Sequence, residues 1–189
     1  MLFAGGAFTV ASAERDEAPR TPATDSADAG FARDMSVHHQ QAVEMSFIVR
    51  DRTRDESVRR LAYDIANTQA NQRGMMLGWL DMWGLPKLQS GVEPMTWMGM
   101  GTGGGADGAL MPGMATNAQM DALRKASGRE AEVLYLKLMT EHHKGGVHMA
   151  QGCVQKCAPG VERDLAQGMV DAQQSEILLM ADMLRKRGA

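Results

Sequence analysis

The chain has 189 residues, 44% of them hydrophobic and 23% charged, and a net charge of −3. That is enough for one ordinary domain with a real core, and the composition excludes a disordered chain. The acidic balance gives no basic footprint for a phosphate backbone, so nucleic acid is excluded as the main partner. Methionine is the unusual count, at 17 against four Phe, three Trp and two Tyr. Met specifies packing poorly because its side chain is flexible, so either the core is plastic or the sulfurs have a role.

In chain order, residues 1–13 read as a signal-like or anchor segment. Leu2 to Val10 are small and apolar, and Ala11-Ser12-Ala13 before Glu14 resembles the cleavage site of an exported protein, although no Lys or Arg precedes the apolar stretch. The expectation is export, to a periplasmic, extracellular or outward-facing membrane-anchored location, with the N-terminus as the anchor in the last case. No other segment approaches the roughly 20 apolar residues that span a bilayer. Residues 14–30, rich in Ala, Pro, Thr, Asp and Ser, read as a flexible linker.

Residues 31–189 read as one duplicated helical domain. An offset of 104 places Met35, His38, His39, Val43 and Met45 on Met139, His142, His143, Val147 and Met149. The same register carries Leu61, Ala62, Gln69, Met76 and Leu80 onto Leu165, Ala166, Gln173, Met180 and Leu184. Repeat one is 31–85 and repeat two is 129–189, each two helices around a short turn. Phe31, Met35, His38, Ala42, Met45 and Val49 recur at steps of four and three, which keeps them on one helix face. Turns are expected near Thr53 to Asp55 and near Pro159-Gly160, with the proline just inside a helix start. Arg50, Arg52, Arg54, Arg59 and Arg60 alternate with Asp51, Asp55 and Glu56 and read as a solvated hairpin end. Residues 86–128 read as a Met- and Gly-rich crossover with a short helix, capped by Thr116 or Asn117 and stopped at Gly128. Two hairpins with one apolar face each are most economically buried as an all-α four-helix bundle.

Inside the apolar stripe lies a polar layer. Counting from the first turn, His38 and His39 fall level with Gln69 and Gln72, and the same count about the second sets His142 and His143 opposite Gln173 and Glu176. At about 1.5 Å per residue both layers sit roughly 24 Å from the turns. Each imidazole is then either a core histidine satisfied by the Gln or Glu across from it, or a metal ligand. For the second reading, Met at i and His at i+3 and i+4 share one turn, and Ala42 and Gly146 leave room beside the rings. A thioether is a soft ligand with no proton to lose, and with imidazole it favours cuprous copper or silver over zinc, magnesium or calcium. Gln69, Gln72, Gln173 and Glu176 would then fix the imidazole tautomers.

His-His-x-x-Ala-Val-x-Met at 38–45 and His-His-x-Gly-Gly-Val-x-Met at 142–149, with Met-Pro-Gly-Met at 111–114, resemble the CopM-like family of exported, Met- and His-rich bacterial helical proteins. The resemblance covers residues 31–84 and 111–187. It implies a ferritin-like four-helix fold and, as in members with an assigned role, copper binding and resistance outside the cytoplasm. Carried over by position, the implied ligands are Met35, His38, His39, Met45, Met139, His142, His143 and Met149. The second copy departs from the first in having Gly145-Gly146 and His148 where the first has Gln41-Ala42 and Glu44.

Met95, Met98, Met100, Met111 and Met114 in the crossover either cover an apolar bundle end or wrap a soft cation. Cys153 and Cys157 stand where the first copy has Val49 and Thr53, and one helical turn apart they either pair as a disulfide or bind metal as thiolates. His148 is out of phase with the core stripe and reads as a surface residue. An enzyme needs reactive groups that are not evident here. The chain has no pair of Glu-x-x-His motifs with two further Glu, no His-Glu-x-x-His, no haem attachment motif and no phosphate loop. The best reading is a copper(I)- or silver-binding protein without turnover. The alternatives are a helical interaction module of the cell envelope that binds no metal and a metal-dependent oxidoreductase.

Overall fold

The structure is a computed structural model that describes residues 21–101 and 105–189, so the signal-like segment 1–13 lies outside the described residues. It is all-helical: α1 (Ala27–Arg52), α2 (Glu56–Met82), α3 (Asn117–Lys125), α4 (Gly128–Lys156) and α5 (Val161–Lys186), with short 3-10 turns at Thr96–Met98 and Ala106–Gly108. The helix ends follow local chemistry. Ser26 Oγ accepts the Ala29 N–H and Asp55 Oδ1 accepts the Val58 N–H, which caps α1 and α2. Thr116 and Gln119 form a reciprocal capping box at the start of α3.

Three sequence expectations shift at these boundaries. Helix α1 begins at Ala27, so the last four residues of the expected linker are helical, and Ala29 is fully buried. Pro159 lies in the turn before α5 rather than inside its first turn, because Gly160 with φ 151° is the N-cap. Gly128 does not stop α3, which ends at Lys125 with Ala126 as its C-cap; it opens α4 instead, with a φ of 55° that glycine adopts without strain.

Helices α1 and α2 form one antiparallel hairpin and α4 and α5 the other, and the hairpins meet through α1 and α4. Small residues line the inner helices: α1 buries Ala29, Ala32, Ser36, Ala42 and Ser46, and α4 buries Gly145, Gly146, Ala150 and Gly152. The apolar core falls into two clusters. One gathers Met45, Val49, Leu61, Ile65, Tyr135, Met139 and Met180; the other gathers Phe31, Met35, Met76, Leu80, Met149, Cys153 and Met169.

The crossover is pinned to the hairpins at several points. The Asp34 carboxylate accepts from Met95 N–H at 2.7 Å and Trp97 Nε1 at 2.9 Å, and the Trp97 ring lies against Gly30, where a Cβ would come within 2.5 Å of it. Gln41 bonds both the N–H and the carbonyl of Ala115. Gly113 and Gly145 let the Pro112 carbonyl press against α4, since a Cβ at Gly145 would stand 1.9 Å from that oxygen. No helix among the described residues is long and apolar enough to cross a membrane.

Candidate metal centre

His38, His39, His142 and His143 are all buried and meet at the junction of the two hairpins. The rings of His38 and His142, one from each hairpin, lie 3.8 Å apart centre to centre with planes inclined by 32°. His39 and His143 flank them, with centroids 6.5 Å from His38 and 6.3 Å from His142. The helix junction therefore forms one four-imidazole layer rather than two separate ones.

Each imidazole spends one nitrogen on an acceptor. His38 Nε2–H donates to the Pro112 carbonyl at 3.2 Å and His142 Nε2–H to the His38 carbonyl at 3.0 Å. His39 Nε2–H donates to Gln72 Oε1 at 2.9 Å and His143 Nε2–H to Glu176 Oε2 at 2.7 Å. In all four rings Nδ1 is buried and has no hydrogen-bond partner. A backbone carbonyl can only accept, so it fixes the proton on Nε2 of His38 and His142 and leaves the Nδ1 lone pair free. Burial holds the His38 and His39 imidazoles down to about 4 and about 3, and lowers His142 well below the ordinary range, with its histidine neighbours adding to the effect. These three rings are neutral at physiological pH, the form in which imidazole binds metal.

Among the described residues, no three of these histidines bring ring nitrogens within 4.8 Å of one another. An ion here must take the rest of its ligands from elsewhere. The four motif methionines, Met35, Met45, Met139 and Met149, are fully buried, but the two of one helix do not sit together. Met35 shares a cluster with Met149, and Met45 shares the other with Met139. Each cluster thus holds one motif methionine from each hairpin.

The remaining candidates sort differently from the sequence expectation. Gln72 and Glu176 hold imidazoles, whereas Gln69 Oε1 and Gln173 Oε1 are buried without a hydrogen-bond partner. The room at Gly146 is taken by the Gln173 amide, which a Cβ would meet at 2.4 Å, rather than by a ring. Met95 and Met111 are buried in the core, Met98 and Met114 pack against it, and Met100 is exposed with its sulfur 3.5 Å from His148 Nε2. Four of the crossover sulfurs thus lie in or against the apolar cluster that holds Met35 and Met149. Cys153 and Cys157 are joined in a disulfide, so neither is a thiolate ligand in this state. His148 is exposed, as its phase predicts. The sequence reading missed the Pro112 carbonyl, although Gly113 and Gly145 signal that two backbones approach closely there.

The family model "Domain of unknown function (DUF305)" matches residues 28–184. No curated protein matches the chain. Among solved structures, a Streptomyces coelicolor DUF305 protein named as a secreted one is 69% identical, with a TM-score of 0.82 over 88% of this chain and 97% of that one. A DUF305 fragment from Deinococcus radiodurans is 30% identical, with a TM-score of 0.68 over 85% of this chain and 96% of that one. CopM in its Cu(I)-bound form is 20% identical, with a TM-score of 0.64 over 84% of this chain and 96% of that one.

Proposed function

The chain belongs to the DUF305 family, and from the site it carries we propose that it is an extracytoplasmic protein that sequesters or hands on copper(I), or silver, without turnover. The observation that carries this reading is the set of four buried imidazoles whose Nε2 atoms are engaged and whose Nδ1 atoms are not. Beside them in sequence stand Met35 and Met149, which share one core cluster, and Met45 and Met139, which share the other. A site limited to two imidazoles per ion and completed by thioethers selects a soft monovalent cation over zinc, magnesium or calcium. The ligands are Met35, His38, His39, Met45, Met139, His142, His143 and Met149. Gln72 and Glu176 orient the outer rings, and the Pro112 and His38 carbonyls orient the central pair. The scaffold is a ferritin-like four-helix arrangement of two related hairpins. Similarity of fold to CopM, which has been solved with Cu(I), Cu(II) and silver, supports the choice of ion. The naming of the Streptomyces relative as a secreted protein supports export.

The test is a competition titration against a cuprous chelator, on the wild type and on the double variant His38→Ala with His142→Ala. The wild type is expected to take copper more tightly than about 1 μM and the variant to lose at least about tenfold, the range for losing a metal ligand or its support. Equal binding by the two proteins would falsify the site. Copper should also raise the melting temperature, because a ligand that binds only the native state stabilises it. An interaction module that binds no metal shows no such shift.

A further inference from the structure

We propose that a second cation site, gated by redox state, lies about 15 Å along α1 from the histidine layer. It is made by the carboxylates of Asp28 and Glu162 and the sulfur of Cys157, and it takes a divalent cation of zinc's type once the Cys153–Cys157 disulfide is reduced.

Three elements converge here. Asp28 stands in the first turn of α1, Cys157 caps the end of α4 and Glu162 stands in the first turn of α5. One ligand atom from each lies within 4.8 Å of the other two. Glu162 is only 4% exposed, and both its carboxylate oxygens are buried without a hydrogen-bond partner. A carboxyl group in that position is costly unless a proton or a cation joins it. Burial, and then the charge of Asp28, push the Glu162 carboxyl up to about 9. Asp28 is held in place by the Ala158 N–H, which donates to its Oδ1 at 3.1 Å.

The opposite end of the molecule provides an internal comparison. The register of 104 that relates the hairpins places Asp28 on Glu132, Thr53 on Cys157 and Trp83 on Arg187. At that other end Thr53 Oγ1 donates to Glu132, and the Arg187 guanidinium pairs with the same carboxylate at 2.8 Å. At this end the arginine position is Trp83, Val58 has become Glu162, and among the described residues neither Asp28 nor Glu162 pairs with a cation. One end thus carries a carboxylate with its cation, and the other carries two carboxyl groups with none.

The disulfide decides what that end accepts. Closed, it offers sulfur without charge, a poor ligand beside two carboxylates. Reduction by a dithiol or a phosphine adds two electrons and two protons to the Cys153–Cys157 bond and leaves two thiols. The reductant becomes a cyclic disulfide or, taking oxygen from water, a phosphine oxide. A divalent cation then displaces the Cys157 thiol proton and the Glu162 proton to solvent, and Cys153 stays a thiol. The Cys157 thiolate and the two carboxylates supply three ligands, and a water completes the four-coordinate set that zinc favours, whereas a soft monovalent ion gains little from carboxylates.

The experiment titrates zinc into the full chain against a chromophoric zinc indicator, with the disulfide intact and after reduction with a phosphine. The reduced protein should bind one equivalent at least about 100-fold more tightly than the oxidised protein, the gain set by thiolate ligation. Glu162→Gln, which preserves volume and should keep the fold, should cost the reduced form at least about tenfold. The double variant His38→Ala with His142→Ala should retain the redox difference, which separates this site from the copper reading. Cobalt(II) added to the reduced protein should give a sulfur-to-metal charge-transfer band that Cys157→Ser lacks. Equal zinc binding in the two redox states, tight binding by reduced Glu162→Gln, or no such band in the reduced wild type would each overturn the proposal.

Discussion

Gly145 and Gly146 are neighbours on α4, yet a methyl group at each meets a different obstacle. At 145 it lies 1.9 Å from the Pro112 carbonyl and 3.0 Å from Gly113 Cα, which are backbone atoms; at 146 it lies 2.4 Å from Gln173 Oε1, the far end of a flexible side chain. Gly145→Ala should therefore destabilise by about 1–3 kcal/mol as an overpacking change. Gly146→Ala should cost far less, since the Gln173 amide can swing aside and helix propensity then returns up to about 1 kcal/mol that the clash at 145 outweighs. Urea titrations of the two variants check the order. If Gly145→Ala also pushes the crossover away, His38 loses its Nε2 acceptor, and copper affinity should fall with stability. The buried imidazoles make a prediction about pH as well. His38 and His39 protonate at about 4 and about 3 in the folded chain, against an ordinary value of about 6.5 when unfolded. The unfolded state takes up protons first, so stability present above about pH 6.5 is lost as pH falls through about 4. Melting curves from pH 8 to pH 4 should show this decline, with a smaller slope in the double variant His38→Gln with His142→Gln. Copper held by His38 and His142 should change little in affinity between about pH 7 and 5.5, because burial keeps those two folded rings unprotonated there.

At the level of elements, the two hairpins were legible because antiparallel helices convert distance from a turn into height in the bundle. The count that set His39 near Gln72 and His143 near Glu176 rests on a helical rise that tertiary packing barely alters, and both hydrogen bonds form. The crossover was not legible, because chain through Gly-rich sequence has no period and its partners lie far away in sequence. Pro112 reaches His38 across 74 residues. Glu162 was hidden for a different reason, since an acidic residue in the first turn of a helix is ordinary and only its burial beside Asp28 sets it apart. Gly128 misled because glycine marks helix starts as well as ends. Helix α3 shows how local signals fix a short element: its nine residues are opened by the Thr116–Gln119 box and seated by Met120 and Leu123. Thr116→Ala should cost about 1 kcal/mol. Denaturant unfolding should record it as a lower midpoint with an unchanged slope.

Across the whole molecule the methionines divide by location. Met76 and Met180 lie in opposite core clusters on the outer helices, and neither belongs to the two paired-histidine motifs. Met35 and Met149, or Met45 and Met139, stand on the inner helices in pairs drawn from both hairpins. Replacing Met35 and Met149 together by Leu should weaken copper(I) binding at least about tenfold, while each near-isosteric swap costs less than about 1.5 kcal/mol. Met76→Leu with Met180→Leu should leave affinity unchanged. Chelator competition beside thermal melting separates the two effects, and equal copper loss in both double variants would reduce the sulfurs to packing.

The bond from His142 to the His38 carbonyl, and the division of each sulfur pair between hairpins, carry a consequence for a truncated chain. A polypeptide ending in the crossover keeps both histidines of its motif but only one sulfur of each pair, and it loses the ring that reads the His38 backbone. Such a half is not a weaker version of the whole. It can rebuild the arrangement only by finding a second copy of itself, so the covalent link fixes at one-to-one a stoichiometry that a shorter gene product would have to reach through concentration.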